Sequence, residues 1–394
     1  MDVAATFSTG AELFAGLITI SGIAYNALAL LGARAFVRDT RTARKAAPFL
    51  PSVSILKPVK GIDPRMYAGF VSHCQQQYGG EFEIVFGVSS LDDPAVAEIV
   101  RLREEFPNVA IQLIECAQRM GTSGKVSNLI QMLPAAQFEH IVVNDGDILV
   151  GPQYLTEIMR PFADAKVGLV TAPYIGLSTR TTWSKLEALG ISTDFMPGVL
   201  TARKLEGSIR FGLGSTLATT KTALATIGGF ESLVDQLADD YELGARLAAQ
   251  GYRVELAPEV VETDVPAYTL RGYLDHQLRW ARSTRDSRRA GYIGLGITYV
   301  LPWAVLAVVA SGAALWSIAL LSFALFVRVT VALTIGVGLL KDVQVIRDLW
   351  LLPLRDFSGL FIWGWSYSSD VIVWRGEKFR LHQGKLERVA EEAK

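Results

Sequence analysis

Uncharged apolar runs bracket a long central stretch in which short β-rich runs alternate with amphipathic ones. Residues 13–33 carry no charge, long enough for a helix across about 30 Å of hydrocarbon. Arg34, Arg38, Arg41, Arg44 and Lys45 follow at once, and such a cluster stays cytoplasmic. The start carries only Asp2 and Glu12, not the basic n-region of a cleavable signal, so the run reads as an anchor with its N-terminus outside. Ala33-Arg34-Ala35 is the competing cleavage tripeptide. No charge appears from Ala290 to Val327, and the apolar run resumes after Arg328 to Leu340, which predicts two more spans turning near Ser311-Gly312. Arg328 then either faces protein or snorkels to the interface. Residues 349–369, split by Arg355 and Asp356 and rich in Trp350, Trp363 and Trp365, with Trp374 just beyond, predict an interfacial or re-entrant segment with a cytoplasmic tail.

Between 51 and 290 the pattern changes. Strands are expected at 52–56, 83–88, 110–114, 140–144 and 168–171, and helices near 64–77, 94–106, 126–133 and 153–163. This alternation implies an α/β domain built on a mostly parallel sheet, with ligands beyond the carboxyl ends of its strands. The expected organisation is an anchor and basic flank at 1–48, a cytoplasmic globular domain at 49–290, two membrane helices at 291–341, and the interfacial segment and tail at 342–394.

Composition adds limits. The chain has 394 residues, half of them apolar, with a net charge of −1 that gives no support to a nucleic-acid partner. Cys74 and Cys116 are too few for a disulfide framework and read as reduced thiols.

The acidic residues gather where strands end. Asp93 before Pro94 is a helix cap, which leaves Asp92 without a structural duty. Gly121-Thr122-Ser123-Gly124-Lys125 fails the P-loop spacing, yet a helix opening near Lys125 offers phosphate an N-terminus and an ammonium, with Asn128 one turn on. Asp145 and Asp147, one residue apart after a strand, suit Mg²⁺ or Mn²⁺, or else an ordinary Asp-Gly turn. Asp239 and Asp240 open a helix, so that one can complement its dipole while the other faces a cleft as a general base; the glycines of 211–215 allow close backbone approach. His276, Arg279 and Trp280 lie in a basic stretch before the membrane, and a fixed guanidinium there suits charge on a leaving diphosphate.

In order, Lys57-Pro58-Val59-Lys60-Gly61, Asp92, Lys125-Val126-Ser127-Asn128-Leu129, Asp145-Gly146-Asp147, Asp239-Asp240-Tyr241 and His276-Gln277-Leu278-Arg279-Trp280 resemble the ceramide glucosyltransferase family. These are inverting GT-A enzymes whose bacterial members include hopanoid-associated glycosyltransferases. The resemblance covers roughly 52–280, and Trp374-Arg375-Gly376 looks like the family's tail. It implies a GT-A nucleotide-sugar-binding fold with transmembrane helices at both ends, a UDP-sugar donor and a membrane-lipid acceptor at the bilayer. It further implies that Pro58, Lys60 and Asp92 flank the uridine, that Lys125 approaches the nucleotide, and that Asp145 and Asp147 carry a Mn²⁺ or Mg²⁺ ion with the diphosphate. Asp240 is the implied base, with Asp239 and Asn128 in the donor site. Arg279 and Trp280 match the family's Gln/Arg-x-x-Arg-Trp, but His276 stands at its first position; the absence of Gln there also argues against a processive polysaccharide synthase. The implied setting is a bacterial inner membrane with the catalytic domain cytoplasmic.

Overall fold

The computed structural model describes residues 3–374, 377–382 and 384–388; Arg375 and Gly376 of the tail motif lie outside the described residues. The chain divides into two compact units, one formed by 37–177 with 206–264 and the other by 1–36, 178–205 and 265–394. The second boundary falls near 265, so the helix that carries His276 belongs with the apolar segments.

In the first unit the expected strands form as β1 (Val53–Pro58), β2 (Phe82–Val88), β3 (Ala110–Glu115), β4 (His140–Val143) and β5 (Val167–Thr171). Four more follow: β6 (Tyr174–Ser178), β7 (Leu217–Thr220), β8 (Arg253–Leu256) and β9 (Val261–Val265). The main sheet runs β3-β2-β1-β4-β7-β5-β8, and β6 pairs with β9. Its pairings are parallel except at β7, which is antiparallel to both β4 and β5. β7 has four residues and no period of its own, so nothing local announces a strand at the centre of the sheet.

The interior strands are buried on both faces, as continuous apolar runs demand: Ile55, Ile84, Phe86 and Val142 are inaccessible to solvent. Phe70, from the helix Met66–Cys74, packs edge-on to Phe86 at 4.7 Å. Register aligns Pro58 with Gly87 and Leu56 with Val143, so β1, β2 and β4 end at nearly one level. The loops that carry Asp92 and Asp145 leave from that level.

In the second unit the N-terminal helix runs Val3–Ala43, longer than the apolar run. Among the described residues it and Leu315–Leu339 are long and apolar enough to cross a membrane. The pair Arg289–Thr298 and Val300–Ala310, bent by 55°, makes a third if it counts as one span. Small residues set the helix spacing: a Cβ at Gly22 would lie 2.6 Å from the Ile297 carbonyl, and one at Gly32 2.5 Å from that of Leu200. The turn expected near Ser311-Gly312 lies between the helices ending at Ala310 and starting at Leu315.

Arg328 faces protein, not the interface. It is 3% exposed, and its guanidinium donates to both Asp356 oxygens at 2.7–3.2 Å, to Asp194 at 2.7 Å and to the Thr193 carbonyl at 2.9 Å. Arg355 closes the cluster on Asp194 at 2.6 Å. The charges that split the 349–369 run are therefore turned inward. On the opposite face of 343–365, Val343, Ile346, Trp350, Leu354, Phe357, Phe361 and Trp365 are exposed at helical spacing, the pattern of a helix lying in an interface. Beyond it comes an antiparallel sheet of β10 (Val371–Trp374), β11 (Glu377–His382) and β12 (Lys385–Arg388), where only a tail was expected.

Candidate active site

In the first unit, three elements bring together a cluster of opposed charges. Ser123 caps the helix Gly124–Met132, its hydroxyl accepting from the Val126 amide, and this sets Lys125 in the first turn. Lys125 Nζ lies 2.7 Å from Asp145 Oδ1, just past β4, and 3.9 Å from Asp239 Oδ2, at the start of the helix Asp239–Ala249. Burial alone would lower the lysine's pKa; the carboxylates of Asp145 and Asp239 outweigh it and hold it above its ordinary value.

Asp240 has the opposite environment. Burial and then the neighbouring Asp239 charge push its carboxyl up from 3.8 to about 6, against the attraction of Lys125. Asp239 is also raised, by burial first and then by Asp145, with Lys125 opposing. The glycines of 211–215 approach Asp240 itself. The Gly212 amide donates to the Asp240 carbonyl at 3.1 Å, and a Cβ on Gly214 would sit 3.0 Å from Asp240 Oδ2. Gly244 packs so closely that its Cβ would meet Phe211 and Gly212 backbone at 2.5 Å.

Lys57 lies beneath the Asp145-Gly146-Asp147 turn, inaccessible to solvent, and donates to the Asp145 carbonyl at 3.0 Å. Burial lowers its pKa to about 7 despite Asp147 and Asp145. Sequence reasoning noted it only as part of a motif; its signal was a lysine ending an otherwise apolar strand. Asp147 is oriented by neutral donors, the Thr263 hydroxyl at 2.6 Å and the Asp264 amide at 3.1 Å, both on Oδ2. Asp264 Oδ2 is buried without a hydrogen-bond partner. The carboxyls of Asp264 and Asp63 are raised by burial and by the Asp147 charge. Neither aspartate was singled out from the sequence.

Hard oxygen donors with one buried carboxylate oxygen unpaired fit Mg²⁺ or Mn²⁺, which are held by one or two carboxylates and complete their shell from substrate phosphates. Among the described residues no group of three or more His, Cys, Asp or Glu side chains is placed to hold a metal ion. Asp145 and Asp147 are the residues that the motif assigns to such an ion, and Asp264 lies beside Asp147.

The other expected donor-site residues lie around the ends of β1 and β2 and on the helix Gly124–Met132. Pro58 is half-buried at the end of β1, and Lys60 and Asp92 are exposed. Asp93 accepts from the amides of Ala95 at 2.9 Å and Gly61 at 3.0 Å, so it caps its helix and ties down the 58–61 loop. Asn128 is buried, accepting from Ser89 Oγ at 3.2 Å and donating to the Gly87 carbonyl at 3.4 Å. It braces β2.

His276, Arg279 and Trp280 belong to the second unit, on the helix Leu270–Ser287. Gln277 is buried; His276, Arg279 and Trp280 are half-buried. The His276 ring stacks on Tyr268 at 5.3 Å and meets Trp280 at 4.8 Å. Its Nδ1 lies 2.8 Å from Glu187 Oε2.

A family model for glycosyl transferase family 21 matches residues 14–387. The chain belongs to this family. The α/β fold with a mostly parallel sheet, antiparallel only at β7, is as expected. The chain is similar to Ceramide glucosyltransferase 3 of Caenorhabditis elegans, 25% identical over 234 residues, covering 59% of this chain and 50% of that protein. It is also similar to an N-acetylglucosaminyltransferase of Bradyrhizobium diazoefficiens, 23% identical over 301 residues, covering 73% of this chain and 60% of that one. It thus spans about half to three-fifths of the length of these two relatives. Among solved structures it is similar to a mannosyltransferase of Pyrobaculum calidifontis in complex with GDP-Man and Mn²⁺, with a TM-score of 0.49, 19% identity, and 88% of this chain and 97% of that one covered.

Proposed function

We propose that this family 21 chain transfers one hexosyl unit from a UDP-sugar to a hydroxyl of a membrane lipid, with inversion at the anomeric carbon. The observation that carries the reading is Asp240, a carboxylate raised to about 6 in a glycine-lined corner beside the Lys125–Asp145–Asp239 cluster. A general base works best with a pKa near the working pH. Asp240 takes the acceptor's proton as its oxygen bonds to the anomeric carbon; the bond to the diphosphate oxygen breaks, and UDP departs with the electron pair. Lys125 and Asp239 hold the donor beside it, with Pro58, Lys60, Asp92 and Asn128 forming the nucleotide side. Asp147 and Asp145 would hold Mn²⁺ or Mg²⁺, which would supply neutralisation of the diphosphate charge. Arg279 offsets charge on the leaving UDP, and Trp280 with His276 shapes the acceptor site.

A ceramide-like lipid and glucose are the first expectation, supported by the worm relative's name. N-acetylglucosaminyl or hexosyl transfer to a hopanoid or glycerolipid is the alternative, and the rhizobial relative's name supports the N-acetylglucosaminyl donor. The apolar helices support an integral membrane setting; we place it in a bacterial inner membrane with the 37–177 and 206–264 unit cytoplasmic.

The test is a transfer assay in lipid with Mn²⁺ or Mg²⁺, offering labelled UDP-glucose, UDP-galactose and UDP-N-acetylglucosamine against a mixed lipid extract. A labelled glycolipid that disappears in Asp240→Asn, with UDP binding kept, supports the reading. Asp147→Ala should blunt the metal response. UDP binding without labelled lipid from any donor would replace the enzyme with a sugar-nucleotide-binding scaffold.

A further inference from the structure

The His276-to-Trp280 motif is anchored on a buried carboxylate 89 residues earlier in the chain. Glu187, on the helix Thr182–Gly190, is 4% exposed. Its Oε2 accepts from His276 Nδ1 at 2.8 Å and Gln277 Nε2 at 3.2 Å, and its Oε1 from the Tyr268 hydroxyl at 3.5 Å. Gln277 Oε1 in turn accepts from Arg355 at 3.0 Å, and Arg355 grips Asp194 in the Arg328–Asp356 cluster. A hydrogen-bonded chain therefore runs from a membrane-helix arginine to two consecutive motif residues.

A buried carboxylate stabilises a fold less than an apolar side chain of equal volume unless every oxygen is satisfied. Here two of its three donors, His276 and Gln277, come from the motif. Because a carboxylate only accepts, it fixes the proton on His276 Nδ1 and the plane of the ring. The ring lies between Tyr268 and Trp280, so fixing it limits where the indole can go.

We propose that Glu187 is a positioning residue for the acceptor side of the transfer, orienting His276 and, through that ring, Trp280. This rests on the reading of Trp280 as part of the acceptor site. Glu187→Ala should lower kcat about a hundredfold, the scale of an ångström-level misplacement, while the donor KM stays within about twofold. Glu187→Gln keeps an acceptor oxygen for Nδ1–H and should recover most of the rate. His276→Phe keeps an aromatic ring but has no Nδ1–H; if Glu187 acts through His276, the double variant is no slower than His276→Phe alone. Additive losses, a Glu187→Gln as slow as Glu187→Ala, or a loss accounted for by the folded fraction in a melt would each overturn the proposal.

A second readout does not need turnover. The chain has 4 histidines, so ¹⁵N-histidine labelling of the full protein in lipid, with His276→Gln assigning the signal, reports the tautomer directly. The Nδ1-protonated form should dominate and be lost in Glu187→Ala; an unchanged signal overturns the proposal. If the wild type transfers no sugar, the proposed function fails, and the tautomer still decides the positioning.

Discussion

The acid limb of the pH profile is where the charge cluster can be tested most sharply. With the Asp240 carboxyl at about 6, a tenth of it is ionised at pH 5 and nine-tenths at pH 7. At the ordinary 3.8 it would be more than nine-tenths ionised at both. If Asp240 is the base, log kcat/KM should rise with unit slope to an inflection near 6, with about tenfold lower kcat/KM at pH 5 than at pH 7. The causes of the shift give a second test with signs. Asp239 is a like charge that raises Asp240, so Asp239→Asn should move the inflection to lower pH. Lys125 opposes the rise, so Lys125→Met should move it higher. Both variants are expected to weaken donor binding as well, so the position of the inflection, and not the height of the curve, is what counts. Initial rates from pH 4.5 to 8.5 in one ionic strength, with saturating lipid and limiting donor, measure it. A flat profile between 5 and 7, or inflections moving the same way in both variants, would refute the assignment.

Further consequences concern packing and the membrane. Gly244→Ala drives a methyl into backbone at 2.5 Å and should destabilise by about 1–3 kcal/mol or more in a denaturation series. Gly214→Ala meets the Asp240 side chain first, its Oδ2 at 3.0 Å, and should lower kcat with little change in Tm. Arg328→Met leaves Asp356, inaccessible to solvent, without its main partner, a loss of about 3–5 kcal/mol readable as a lower Tm in lipid; a Tm equal to wild type would mean the cluster is not buried in the folded protein. Because Cys74 and Cys116 are buried, a probe on Ile346→Cys reports the exposed apolar stripe cleanly. Its emission should shift to the blue in bilayers, and a water-like spectrum would remove the stripe from the interface.

What the sequence determined by itself is what depends on neighbours in the chain. β1 to β5 were readable because apolar runs end at turn residues within a few positions. The helix at Asp239 and the cap at Asp93 were readable because caps and dipoles are local chemistry. The turn at 311–312 followed from charge-free length alone.

Tertiary structure decided whatever depends on distance through space. β7 has too few residues to show a period, and only its antiparallel fit between β4 and β5 makes it a central strand. Arg328 could have snorkelled; Asp194 and Asp356, distant in sequence, supplied buried counter-charges and turned it inward. Asp239 and Asp240 are chemically identical in sequence, and it is burial, with Lys125 and Asp145 from other elements, that raises both carboxyls above the ordinary value. Glu187 gave no local signal, and the lysine near the end of β1 did not name its partners, because in both cases they come from remote segments: a buried charge is recognised by what surrounds it, and only the folded chain assembles those surroundings.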